Sequence, residues 1–108
     1  MNYKNILCEK TDNIGIITLN RPEVLNALNI NLLKELDDVL NNLEKDKNVN
    51  AIIITGKGNK AFSSGADIKE MLELNSKIDS NSIDKLRQKY YLNILRCSKP
   101  TIGMINGL

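Results

Sequence analysis

The sequence contains no histidine and only two cysteines, Cys8 and Cys97. Without histidine, these residues cannot form a serine-histidine triad. The cysteines lie far apart and form no CxxC pair, so zinc ligation within the chain is excluded as well. We expect both cysteines to be reduced packing residues and predict no metal site.

Long apolar runs are also missing. No run approaches the ~18 residues that cross a bilayer, and the first ten residues lack the apolar centre of a signal peptide. We therefore expect a cytoplasmic protein that does not bind membranes. The net charge is only +2 and the lysines are scattered, which argues against a nucleic-acid partner. The remaining composition, 42% apolar and 26% charged over 108 residues, is typical of one globular domain at most.

The residue patterns predict an α/β chain that begins with a β-hairpin. Two β-type runs, NILCEK and NIGIITLN, flank Thr11-Asp12-Asn13, whose Asp-Asn pair tolerates turn geometry. Apolar residues recur at helical spacing from Asn29 to Leu43, and the continuous run AIIITG predicts a strand covered on both faces. Strand, helix and strand in this order predict a right-handed crossover and a parallel strand pair.

Shorter elements follow. A short helix is predicted from Ile68, and the polar stretch 75–82 reads as a connection. A second long helix is predicted before the stop signal Ser98-Lys99-Pro100, and TIGMIN predicts a short strand. The apolar face of that long helix comprises Ile83, Leu86, Tyr90, Ile94 and Leu95.

The turn before the short helix is a candidate site. Asp67 and Glu70 form a D-x-x-E capping pattern, which places the helix start at Asp67. The preceding amides then lie at the positive end of the helix, where Gly65 permits a bend and the small Ser64 and Ala66 let a ligand approach the main chain. Such a turn suits an anion or a carbonyl oxygen that gains negative charge. Any strand-to-helix loop also needs a cap and a glycine, so a structural corner remains the alternative.

Three stretches, ITLNRPEVLNAL, AFSSGADIKEM and KPTIGMINGL, occur in this order and closely resemble the crotonase superfamily of enoyl-CoA hydratases and isomerases. The resemblance implies the N-terminal part of a crotonase-type ββα spiral over residues 1–108, incomplete because family members are much longer. We expect either a fragment of a longer enzyme or a truncated gene product that ends within the family's NG-x-x-x-GGG region.

The resemblance also implies the site residues. The Ala66 amide would be one of two backbone donors that form an oxyanion hole for the thioester carbonyl of an acyl-CoA. Coenzyme A enters as part of the substrate, so no separate cofactor is expected. The residues implied at the thioester and pantetheine end are Ser64, Gly65, Ala66, Asp67, Ile68 and Lys69, and those nearer the nucleotide end are Val24, Ala27 and Ala61.

The implied activity is addition of water to a 2-enoyl-CoA in fatty-acid or butyrate-like metabolism, by an enzyme that forms trimers or hexamers at full length. In the family, the second donor and two catalytic glutamates correspond to positions beyond Leu108, so we expect the segment alone to be inactive. Other members of the superfamily, namely isomerases, hydrolases and decarboxylases, share this half. A non-catalytic CoA-binding or assembly fragment is the alternative from another class.

Several residues keep two interpretations. Lys69 either reaches a CoA phosphate or is a solvated surface charge, and Met71 and Leu72 line an acyl pocket or the core. Tyr90 and Tyr91 favour core or interface packing. Neither Glu70 nor Glu73 matches a catalytic glutamate. We do not predict a phosphate-binding loop in TGKGNKAFSSG, because this stretch lacks the G-x-x-x-x-G-K-[ST] spacing. We also expect exposed apolar surface, and hence association or poor solubility.

Overall fold

The computed structural model describes residues 3–75 and 80–107 and contains a sheet with helices. Residues 76–79 of the predicted connection at 75–82 lie outside the described residues, as does Leu108. Residue 75 and residues 80–82 are helical, so the prediction of a connection is wrong for them. Among the described residues, no helix is long and apolar enough to cross a membrane. The elements are β1 (Ile6–Thr11), β2 (Ile14–Leu19), a 3-10 helix (Pro22–Val24), α1 (Ile30–Lys45), β3 (Ala51–Gly56), α2 (Ile68–Asn75), α3 (Ser80–Leu95) and β4 (Thr101–Gly103).

Four strands form one sheet in the order β1-β2-β3-β4. β1 and β2 are antiparallel, whereas β3 is parallel to β2 and β4 is parallel to β3. The hairpin turn has positive φ values of 50° at Asp12 and 68° at Asn13, which matches the tight two-residue turns that Asp and Asn tolerate. The predicted hairpin and parallel strand pair are therefore confirmed.

Helix α1 begins where the sequence indicates. The Asn29 side chain accepts the Leu32 amide at 2.8 Å and caps the helix. The apolar stripe of α1 packs on the sheet and forms most of the core, in which each fully buried aliphatic side chain stabilises the fold by about 1.5–3 kcal/mol. The buried residues of α1 are Leu32, Leu33, Leu36, Val39, Leu40 and Leu43.

The sheet is covered mainly on the face that α1 contacts. Ile17 and Ile52 are fully buried there, and Tyr90 and Ile94 of α3 pack against the same core. Ile53 points to the other face and is only half-buried. The prediction that β3 is covered on both faces is therefore wrong for these residues, because a continuous apolar run records hydrophobicity without showing that a second layer is present.

Exposed apolar side chains concentrate on that open face, on α3 and on the segment after β4. Leu95, predicted on the buried face of α3, is 79% exposed because it occupies the last position of the helix. Both cysteines are free thiols. Cys97 packs against the core, whereas Cys8 is exposed, so the prediction of a packing residue is wrong for Cys8. The large exposed apolar residues in these regions include Leu7, Leu92, Leu95, Ile102, Met104 and Ile105.

Candidate functional site

The candidate site is the loop that leads from β3 to α2. The Ser63 hydroxyl donates to the Asn26 carbonyl at 2.8 Å and accepts the Gly65 amide at 3.1 Å. The Ser64 amide donates to the Leu25 carbonyl at 2.9 Å. These bonds hold the turn against the segment that follows the 3-10 helix.

The Ala66 amide points away from the segment to which its neighbours are bonded. Leu28 and Ala66 form an isolated parallel bridge, in which the Leu28 amide donates to the Gly65 carbonyl at 2.7 Å and the Asp67 amide donates to the Leu28 carbonyl at 3.2 Å. In such a bridge the N–H of the central residue faces the opposite side. Within the part of the chain that the structure describes, no acceptor bonds the Ala66 amide. Because residue Ala66 is only half-buried, its amide is a donor available to a ligand.

Gly65 is required by the backbone conformation of the turn. Its φ is +97°, a value that side chains of L-residues rarely adopt, and a methyl group added there would meet nothing within 4 Å. The constraint at Gly65 is thus conformational and does not come from crowding. It sets the direction of the peptide unit that carries the Ala66 N–H.

Asp67 caps α2, as predicted. Its Oδ1 accepts the Glu70 amide at 3.1 Å, and its Oδ2 accepts the Arg21 guanidinium at 3.0 Å. The Glu70 amide lowers the pKa of the Asp67 carboxyl most strongly, and Arg21 lowers it further against the opposing effect of burial. Asp67 is therefore held as an anion whose role is to start the helix.

The second half of the predicted capping pattern is wrong. In a capping box the Glu70 side chain would bond the Asp67 amide, but that amide is taken by the Leu28 carbonyl. The Glu70 carboxylate instead accepts the Ile30 amide and the Arg87 guanidinium, both at 2.9 Å. These tertiary partners explain why Glu70 has a structural role and is not aimed at a ligand.

The three residues expected near the nucleotide end lie in different surroundings. Val24 is exposed at the end of the 3-10 helix, whereas Ala27 and Ala61 are buried. Ala61 lines a surface cleft of about 340 Å³, whose lining includes neither Val24 nor Ala27. The cleft lining comprises Pro22, Glu23, Leu25, Asn26, Ala61 and residues 57–60. The CoA contacts of these three residues stay a prediction.

Three residues near the donor face outward. Ser64, Ile68 and Lys69 are exposed, and Ile68 is 71% accessible. Met71 and Leu72 are exposed too, so the core interpretation of these two side chains is wrong. Helical spacing alone did not distinguish an apolar stripe that meets the core from one that lies at the surface.

An apolar groove of about 300 Å³ adjoins the donor turn between α1, α3 and β4. Leu28 and Ser63 connect it to the turn, and Tyr91 lines it, whereas Tyr90 packs on the core. The remaining lining residues are Leu19, Leu33, Leu36, Ile54, Phe62, Ile94, Thr101, Ile102 and Gly103. Met71 and Leu72, the sequence candidates for an acyl pocket, are not among them.

The Asn106-Gly107 pair is docked against the same loop. Asn106 Oδ1 accepts the Gly56 amide at 3.0 Å, and its Nδ2 donates to the Gly58 carbonyl at 2.9 Å. A methyl group added to Gly107 would come within 2.6 Å of the Lys60 carbonyl oxygen, so only glycine fits this close backbone approach. The chain after β4 is thus brought next to the loop that carries the donor.

Three side chains that organise the site were not singled out from sequence. Asn26 is 1% exposed and bonds the Lys57 and Ala61 carbonyls, both at 3.1 Å. Asn106 and the buried Arg87 act over similarly long separations. Loop asparagines and helix arginines are usually surface residues, so composition carried no signal for these three.

Comparison with known proteins identifies similar chains. The family model described as enoyl-CoA hydratase/isomerase matches residues 9–108. The chain is 41% identical over 107 residues to the short-chain-enoyl-CoA hydratase of Clostridium acetobutylicum, covering 99% of this chain and 41% of that protein. It is 40% identical over 105 residues to the mitochondrial 3-hydroxyisobutyryl-CoA hydrolase of Rattus norvegicus, covering 95% of this chain and 27% of that protein.

The fold comparison agrees. The crystal structure of an enoyl-CoA hydratase/isomerase from Xanthobacter autotrophicus Py2 superposes with a TM-score of 0.90 at 36% identity, over 98% of this chain and 40% of the other. An enoyl-CoA hydratase/carnithine racemase from Magnetospirillum magneticum gives a TM-score of 0.87 at 30% identity, over 96% and 39% of the two chains. The chain therefore spans about two fifths of the length of these hydratase relatives.

Proposed function

Because this chain belongs to the enoyl-CoA hydratase/isomerase family, we propose that it forms the part of an enoyl-CoA hydratase that binds the acyl-CoA thioester and polarises its carbonyl. The unbonded Ala66 amide is the observation that carries the proposal. It is a fixed donor close to the start of α2, where the helix dipole favours negative charge. A thioester oxygen would accept a hydrogen bond from this amide and become enolate-like as the reaction proceeds.

The chemistry follows from this donor. Addition of water to a 2-enoyl-CoA places negative charge on the thioester oxygen in the transition state. A donor that bonds this charged oxygen more strongly than the neutral carbonyl lowers the barrier. Loss of one such donor costs about 3–4 kcal/mol in other enzymes.

The other catalytic parts come from outside this chain in the proposed enzyme. Glu70 is engaged by the Ile30 amide and Arg87, which leaves it poorly placed to transfer protons. A second donor and the acid and base are therefore supplied by the further length that relatives have. Since a positioned acid or base contributes roughly 10²–10⁴-fold, this chain alone should bind thioesters without efficient turnover.

The acyl end of the substrate is assigned to the apolar groove beside the donor turn. Leu28 and Ser63 border both features, so a thioester carbonyl at Ala66 places its acyl chain near the groove mouth. The CoA moiety then extends along Ile68, Lys69 and the cleft at Ala61. CoA is part of the substrate in this arrangement. Trimers or hexamers are the proposed assembly of the complete enzyme.

A second candidate is a 3-hydroxyacyl-CoA hydrolase, because the Rattus norvegicus hydrolase is nearly as similar as the Clostridium acetobutylicum hydratase. Both reactions place charge on a thioester oxygen and would use the same Ala66 donor. The choice between them lies with residues outside this chain. A CoA-binding or assembly role without catalysis is the remaining alternative.

Calorimetric titration of the 108-residue chain with acetoacetyl-CoA and with CoA tests the proposal. Acetoacetyl-CoA offers an enolate-like thioester oxygen, whereas CoA lacks a thioester carbonyl. Tighter binding of acetoacetyl-CoA is expected. Equal affinity of a folded chain for the two ligands would refute a carbonyl-binding role, and the CoA-binding alternative would then be favoured.

A further inference from the structure

Arg87 of α3 is a buried cation that contacts the segment before α1 and the first turn of α2. The residue is 6% exposed, and burial of a guanidinium is costly unless its donors are bonded. One Nη donates to the Leu28 carbonyl at 2.8 Å and the other to Glu70 Oε1 at 2.9 Å. Its Nε is buried and bonds no acceptor among the described residues. The two acceptors that Arg87 bridges therefore offset much of the cost of burying its guanidinium.

Both bonded groups hold the donor turn. The Leu28 carbonyl accepts the Asp67 amide as well as Arg87, and the Leu28 amide donates to the Gly65 carbonyl. These two backbone bonds flank Ala66 on either side. Arg87 and the Asp67 amide share the Leu28 carbonyl oxygen as acceptor, so Arg87 ties the position of Leu28 to α3. Movement of Leu28 would rotate the peptide unit that carries the Ala66 N–H.

Glu70 links the same cation to two helix starts. Glu70 Oε1 accepts a hydrogen bond from the amide of Ile30, the first residue of α1. Glu70 itself lies in the first turn of α2. A carboxylate is favoured at both of these N-terminal positions. Arg87 thereby joins the starts of α1 and α2 to the middle of α3 around the turn.

We infer that Arg87 is a positioning residue, which acts through Leu28 and Glu70 to aim the Ala66 amide at the acyl thioester carbonyl. This inference rests on the proposed function. An error of about 1 Å in the placement of a reacting group is enough to cost ~10²-fold, so the support of the donor matters as much as its presence. Lysine cannot replace Arg87 fully, because an ammonium lacks the planar fork that reaches two acceptors at once.

The alternative is that Arg87 only attaches α3 to α1. A second polar contact between these helices provides the matched control, since the Asn93 amide donates to Asp37 at 2.8 Å. Asn93→Ala removes a contact between α3 and α1 but none of the bonds around Leu28. A role limited to helix attachment predicts similar effects of Arg87 and Asn93 substitutions on ligand binding.

The experiment compares wild type, Arg87→Met, Arg87→Lys and Asn93→Ala. Calorimetry gives the affinity ratio of acetoacetyl-CoA to CoA, and infrared spectroscopy of bound acetoacetyl-CoA with a ¹³C-labelled thioester carbonyl gives the carbonyl stretch. Urea unfolding measures stability. We expect Arg87→Met to lower the affinity ratio at least tenfold and to move the carbonyl stretch toward its value in water. Arg87→Lys should fold and lose part of the ratio, while Asn93→Ala should keep it.

The outcomes separate the two levels of the argument. An affinity ratio of one in the wild type would refute the proposed function, and the inference with it. A wild-type preference that Arg87→Lys and any folded Arg87→Met retain in full, with an unchanged carbonyl stretch, would overturn the inference alone. An equal loss in Asn93→Ala would also overturn it, since helix attachment would then explain the effect. If Arg87→Met does not fold, Arg87→Lys decides.

Discussion

Ala66→Pro removes the proposed donor with little other change. Proline has no N–H, and the Ala66 amide makes no hydrogen bond to the described protein, so the fold loses no bond at this position. The bonds of the adjacent bridge belong to Gly65, Leu28 and Asp67, and the substitution replaces none of these residues. Proline restricts the preceding residue through the N–H and the Cβ of that residue, and Gly65 has no Cβ.

The magnitude follows from the acceptor. A hydrogen bond to a charged group contributes about 1.5–3 kcal/mol, which corresponds to about 10- to 150-fold in affinity. We expect Ala66→Pro to weaken acetoacetyl-CoA binding by this factor and to leave CoA binding unchanged. Calorimetry measures both affinities, and urea unfolding checks that the variant is folded.

Ala66→Ser is the matched control, because it changes the side chain and keeps the N–H. It should bind both ligands about as tightly as the wild type. A folded Ala66→Pro variant that retains the wild-type preference for acetoacetyl-CoA would refute the role of the Ala66 amide. A similar loss in Ala66→Ser would show that the side chain, and not the donor, determines the preference.

Three further predictions concern stability and association. Gly65→Ala should cost about 1–2 kcal/mol in urea unfolding, since φ is +97° and no clash adds to the strain; unchanged stability would contradict this. Because the pKa of Asp67 is lowered in the fold, Asp67→Asn should cost about 0.5–1 kcal/mol above the unfolded-state pKa of ~3.9. That cost should vanish as the pH falls through the folded pKa, and a cost that grows in acid would refute it. Light scattering should detect association of the chain through its exposed apolar face, whereas a monomer at all concentrations would count against it.

Local features of the site were predictable from neighbouring residues. The Asp67 cap and the need for glycine at position 65 depend on atoms within a few residues, so their patterns appear directly in the sequence. The same holds for the hairpin turn at Asp12-Asn13 and for the Asn29 cap of α1. Each of these features recurs wherever the local geometry recurs.

The support of the site was not predictable in this way. Glu70 fits a capping box locally, yet Arg87, 17 residues further along the chain, and the Ile30 amide, 40 residues earlier, take its carboxylate. Arg87 itself belongs to a residue type that is usually exposed, and its partner Leu28 is 59 residues away. Met71 and Leu72 show the opposite case, since their apolar spacing fitted the core as well as an acyl pocket, and the structure exposes them.

The sequence by itself determined most of the elements, the parallel strand pair, the family and the position of the donor turn, because periodicity, caps and turns arise from short-range sterics and hydrogen bonds. Only the tertiary structure decided which way the Ala66 amide faces, since that depends on the bridge to Leu28, 38 residues earlier. It also decided that Arg87 is buried among distant acceptors. Long-range hydrogen bonds join residues whose separation leaves no periodic trace, so folding is needed to bring them together.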